Sequence, residues 1–111
     1  MRKLFLAALC VAAVAASAEI GDYQKGERLF YSRLAPEIGL NGADFAMRHA
    51  RAEWRRLFEN RAAGFIAEVG AGYPSLTPII SKESFIRESP HLLAFLIVYA
   101  KDGEGFQAVD Y

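Results

Sequence analysis

From residue 22 onward the apolar positions recur at three- and four-residue steps and do not alternate, which predicts helices and no strands. In residues 22–34, Tyr23, Gly26, Phe30 and Leu34 fall on one face. Pro36 restricts Ala35 and is expected to end that helix, and Asn41 is placed to cap the next. Residues 43–59 are the most strongly patterned, with a stripe of Ala43, Met47, Ala50, Trp54, Leu57 and Phe58. Arg48, Arg51 and Arg55 line the opposite side, and a break near His49 is left open. A short helix over 62–69 is expected to stop at Gly70-Ala71-Gly72, where a G-x-G with no strand before it reads as a helix end, not a phosphate loop. Residues 73–76 read as a loop, and a short helix follows around 79–87, capped by Thr77 or Ser81. Ser89 is expected as the N-cap of the last helix, with Pro90 at its first position and Gly103 just past its end. Residues 91–100 are apolar nearly all round, so that helix should be buried, with the first helix across it. Gly26 costs about 1 kcal/mol relative to Ala inside a helix. A close helix crossing at a residue without Cβ explains its presence there.

These elements predict a small all-α bundle of four to five helices with the N- and C-terminal helices packed together. The segment 1–18 stands apart. Arg2 and Lys3 precede an apolar run over 4–16, and Ala16-Ser17-Ala18 is a small-x-small cleavage site, so 1–18 reads as a Sec-type signal peptide and 19–111 as one domain. The only cysteine, Cys10, lies inside the apolar run, so the mature protein is expected to have no disulfide and no thiol. Removing Arg2 and Lys3 from a balance of 13 basic and 13 acidic side chains leaves a formal charge of −2, which gives no support for nucleic-acid binding. The mature protein is expected in the periplasm or secreted, with no transmembrane anchor after cleavage.

Gly26-Glu27-Arg28-Leu29-Phe30, followed by Leu34-Ala35-Pro36-Glu37-Ile38-Gly39-Leu40-Asn41-Gly42, resembles the opening of small class I cytochromes c. There a helix with Gly and, four residues on, an aromatic leads into C-x-x-C-H-G, often continuing to Asn-Gly. Leu34 and Glu37 occupy the two cysteine positions, and Ile38 occupies that of the proximal histidine. Covalent haem needs two thiols and an imidazole, and this loop offers none of them. The axial Met that the family often carries in a later loop is also missing, because Met47 is the mature chain's only methionine. The resemblance therefore implies a cytochrome c-like fold without covalent haem. It also implies that side chains fill the haem's volume: Leu34, Ile38, Leu40, Met47, Trp54, Phe58, Phe65, Tyr73, Leu76, Ile79 and Phe85.

Candidate chemistry is sparse. His49 and His91 are the alternative cofactor site, a haem held non-covalently between two imidazoles, weighed against two ordinary, partly exposed histidines. His49 and Glu53, four apart on a helix, make half of a metal site with no second half nearby. No serine has a nucleophile-elbow context, so no catalytic residue is expected. Glu37 reads as a carboxylate facing water beside Pro36. The interaction candidate is the arginine face, Arg48, Arg51, Arg55 and Arg56, set against a solvated face paired with itself through Asp44 and Arg48 and through Arg55 and Glu59. The expected role is a haem-less, non-catalytic accessory or protein-binding module with an envelope protein partner. The resemblance implies a place beside electron-transfer or cytochrome-assembly proteins. An electron-transfer protein with non-covalent haem and an unrelated small helical bundle are the alternatives.

Overall fold

A computed structural model describes residues 21–103; the expected signal peptide over 1–18 lies outside the described residues, as do residues 19–20 and those after Gly103. Among the described residues every regular element is helical. The helices are α1 (Tyr23–Leu29), α2 (Ala35–Ile38), α3 (Gly42–Ala46), α4 (Arg51–Leu57), α5 (Glu59–Gly72), α6 (Thr77–Ile80) and α7 (Glu83–Tyr99). A π turn over Phe30–Leu34 joins α1 to α2, and a 3-10 turn over Pro74–Leu76 leads into α6. The chain is an all-α bundle in which the first helix packs along the last, the most extensive contact between its elements.

Asp22 starts α1 by accepting the Gln24 N–H at 2.9 Å. That bond satisfies one of the orphan amides of the first turn. The helix does not end at Leu34. It continues to Ile38 through the π turn, in which the Ala35 N–H donates to the carbonyl of Phe30 five residues back. The cause is Pro36. Its ring would clash with the carbonyl of Ser32 in a regular helix and it donates nothing there, and the wider turn removes that clash. Gly39, at φ 79°, then ends the helix in the left-handed conformation. Glycine adopts that conformation without steric cost.

Gly26 is buried against α7. A Cβ there would overlap the carbonyl oxygen of His91 and lie 2.6 Å from its carbonyl carbon and 2.9 Å from Cβ of Phe95. The crossing expected at this glycine is present.

The segment expected as one helix over 43–59 is two. Asn41 Oδ1 accepts the Asp44 N–H at 2.8 Å and starts α3, as expected. The chain then turns at residues 47–50 before α4. This break shifts the apolar stripe, so Phe45 and Ala46 are buried while Met47 is 38% exposed. Trp54 re-anchors the second piece. It is fully buried, donates from Nε1 to the Ala46 carbonyl at 2.7 Å, and packs against Phe45, Phe58 and Phe65.

At the start of α5, Asn60, Arg61 and Ala62 all have φ between 55° and 62°. Three consecutive non-glycine residues in this region strain the backbone by about 1–2 kcal/mol each. Ala62 is nevertheless buried in the core, which holds the turn in place. The helix continues through Gly70 to Gly72, past the expected stop.

The last helix also differs from its expected bounds. It begins at Glu83 and runs through Ser89 and Pro90 without a break. Pro90 has no N–H to donate to the Ile86 carbonyl. The Ser89 hydroxyl donates to it instead, at 2.7 Å. Ser89 is thus not an N-cap but the residue that makes an internal proline tolerable. The short helix expected around 79–87 is divided between α6 and the first turns of α7. The core runs from Phe30, Leu34 and Ile38 through Phe45, Trp54 and Phe65 to Leu92, Phe95 and Leu96.

Candidate functional site

Leu34, Glu37 and Ile38 lie on the final turns of the first helix. Leu34 is fully buried and Ile38 is 8% exposed, both within the core cluster. Glu37 faces solvent, as expected. Of the other side chains expected to fill the interior, Trp54, Phe65, Leu76 and Phe85 are buried. Leu40, Phe58, Tyr73 and Ile79 pack partly buried against the core, and Met47 does not. Because Ile38 closes one edge of the core, Ile38→Ala should cost about 2 kcal/mol, the lower end of the usual range for such truncations. Thermal unfolding of the metal-free, colourless protein checks this, and an unchanged melt would place Ile38 outside the core.

The two histidines are not brought together. The His49 ring stands edge-on to Trp54, with Nε2 2.8 Å from Oε2 of Glu68 and Nδ1 3.4 Å from Oε1 of Glu53. Its carbonyl accepts the Lys101 N–H at 3.2 Å, beyond the C-terminal end of α7. His91 is at the middle of α7, where Nδ1 accepts the Asp22 N–H at 2.9 Å and ties the start of α1 to the crossing. At a rise of about 1.5 Å per residue, the helix from His91 to Tyr99 spans about 12 Å. Glu68 and Glu53 approach His49 from opposite ring nitrogens and so do not converge on one ion. Among the described residues no group of three metal-ligating side chains is present.

The four arginines are not one helical face. Arg48 lies in the 47–50 turn, with its guanidinium 5.2 Å from the centre of the Phe45 ring and 5.9 Å from that of Tyr73. Its Nη2 donates to the Tyr73 hydroxyl at 3.0 Å. Arg51 is engaged from both ends: its N–H donates to Oδ1 of Asp102 at 2.8 Å, and its Nε lies 3.5 Å from the same atom. Arg55 and Arg56 are exposed on α4. Among the described residues no carboxylate makes a salt bridge with Arg48, Arg55 or Arg56, so the expected pairs with Asp44 and Glu59 do not form. Residues 47–58 hold four arginines against one glutamate in a chain with 13 basic and 13 acidic side chains overall.

Two carboxylates fasten this region. Glu53 accepts the Ala50 N–H at 3.0 Å, and Asp102 accepts the Arg51 N–H. The first turn of α4 is therefore capped from within and from the far end of the chain. The Ala50 N–H, with help from His49 and Lys101, holds the Glu53 carboxyl below the ordinary carboxylate range. The Arg51 N–H and guanidinium do the same for Asp102. A depressed folded-state pKa adds stability at pH above the unfolded value, and that stability is lost as pH falls through the folded value. The contribution should be complete above about pH 5 and fade below about pH 4. Melting temperature followed from neutral into acid pH should fall less steeply in Glu53→Gln and Asp102→Asn than in the wild type. Parallel curves would remove both carboxylates from the account.

The described residues form a small all-α bundle with an aromatic core, and Arg48, Arg55 and Arg56 are exposed on α4 and the turn before it. Comparison of the chain with protein-family models, with curated proteins and with solved structures returns no match. Among the described residues no helix is long and apolar enough to cross a membrane.

Proposed function

We propose that this chain is an exported, non-catalytic protein-binding module, cytochrome c-like in architecture and working without haem, which meets an acidic partner in the cell envelope. The observation that carries the proposal is the exposed pair Arg55 and Arg56. They project from a helix anchored by buried Trp54, with no carboxylate paired to either among the described residues. Unpaired charge of one sign on a rigid support steers a partner of the opposite sign and sets its orientation. The loss of the haem-attachment residues fits the same reading, since apolar side chains at Leu34 and Ile38 supply core in their place.

Arg55→Glu with Arg56→Glu is the test. Both side chains are exposed, so the melting temperature should stay within a few degrees. A photo-crosslinker at Ala52, one turn away on the same helix, should capture an envelope protein in the wild type and lose it in the double mutant. Identical crosslinks would reduce the arginines to a solvated face. Absorption of the exported protein examines the cofactor. A Soret band abolished by His49→Ala or His91→Ala would replace this proposal with a non-covalent electron-transfer protein.

A further inference from the structure

Resting on that reading, we infer that Arg48 is the anchor of the interface, a pre-stacked guanidinium that takes a side-chain carboxylate from an acidic peptide segment of the partner. Arg55 and Arg56 stand on long, unsupported side chains. Arg48 differs from both. Phe45 and Tyr73 lie within reach of a cation–π contact, and the Tyr73 hydroxyl fixes one edge of the guanidinium. Phe45 is fully buried and in the core, so the platform beneath the charge is rigid. Holding the side chain in advance removes much of the entropy cost of ordering it on binding.

The guanidinium has five N–H donors. One hydrogen bond is assigned to it among the described residues. Its remaining edge is a planar fork that matches a carboxylate. Glu68 is engaged by His49, and Glu53 by the Ala50 N–H and His49, while Asp44, four residues before Arg48, makes no salt bridge with it among the described residues. Met47, next in the chain, is 38% exposed. It adds an adaptable apolar contact. Arginine, tyrosine and methionine together are the residue types enriched in the cores of protein interfaces, while lysine and glutamate are depleted there. Arg48 thus supplies geometry, whereas Arg55 and Arg56 supply charge at a distance.

The experiment is an NMR titration of the folded domain with hexaglutamate, with hexaglutamine as the uncharged control and inorganic phosphate as a second anion. The Arg48 Nε and Tyr73 ring signals should shift with hexaglutamate and not with hexaglutamine. Arg48→Lys keeps the charge but loses the plane and the fork, and should weaken binding about tenfold. Lysine at both Arg55 and Arg56 should weaken it less than about threefold, because the charge is kept. Tyr73→Phe, which removes only the hydroxyl, should fall between the two. Equal, small losses in every lysine variant would overturn the anchor and leave the module with a diffuse basic face. Preferential binding of phosphate at Arg48 would overturn the carboxylate assignment. No binding of hexaglutamate would overturn the anchor, while the crosslinking experiment would still decide the module separately.

Discussion

Gly26→Leu should leave this protein largely unfolded, and Gly26→Ala should already destabilise it. Both substitutions improve helix propensity, by roughly 1 kcal/mol for alanine. That gain is small against the packing it disrupts. The atoms facing Gly26 belong to the backbone of α7: the carbonyl oxygen of His91, and its carbonyl carbon 2.6 Å from where a methyl group would sit. Backbone cannot rotate away as a side-chain tip can, so the helices must separate. Separation would also pull the Asp22 N–H from His91 and lift Phe95 from Phe30. Overpacking typically costs about 1–3 kcal/mol and more when backbone must move. We expect that range for alanine and about 3 kcal/mol or more for leucine, a large fraction of the roughly 5–15 kcal/mol that holds a small domain. Urea unfolding followed by circular dichroism measures it. An alanine variant as stable as the wild type would mean that the crossing is looser than the geometry describes.

Trp54→Ala should have a comparable effect by the opposite route. Removing a fully buried tryptophan typically costs about 3–5 kcal/mol through lost transfer energy and the cavity left behind. Here the ring also bridges α3 to α5 and satisfies a buried carbonyl, that of Ala46. Without the indole that oxygen keeps only the long 3.4 Å bond from the His49 N–H, and the loss of its short donor adds about 1 kcal/mol. Trp54→Phe separates the two terms, since it keeps most of the apolar volume and loses the indole N–H. We expect the alanine variant to lose cooperative unfolding and the phenylalanine variant to melt at a lower temperature but still cooperatively. Equal losses in both variants would assign the effect to the hydrogen bond alone. Near-wild-type stability in the alanine variant would remove Trp54 from the centre of the core.

Local pattern was enough for several features. The helical period, the Asn41 cap, the buried apolar run in 91–100 and the glycine at the crossing are each a matter of residues three or four apart, or of one residue without a Cβ. Their physics is contained in the sequence within a turn or two. The burial of Leu34 was legible for the same reason, the exposure of Glu37 from the rarity of buried unpaired carboxylates, and the burial of Ile38 only through the resemblance.

Tertiary contacts decided the rest, because the competing local choices differ by about 1–3 kcal/mol and packing or a compensating hydrogen bond settles them. Pro36 has the local character of a helix stop, yet the inner face carrying Leu34 and Ile38 is better buried by a helix that widens and continues. Pro90 has that of a helix start, yet the Ser89 hydroxyl takes over the missing hydrogen bond and α7 stays whole. The stripe over 43–59 slips at Met47 because Trp54 reaches back to the Ala46 carbonyl, a bond that requires the chain to turn between them. The arginines that share a face on a helical projection are separated by that same turn. Asp102 engages Arg51, and the rings of Phe45 and Tyr73 hold Arg48, so only Arg55 and Arg56 project as the pattern alone predicts. A charge pattern shows which residues are on the outside; which of them are held, and by what, depends on side chains up to 51 residues away along the chain.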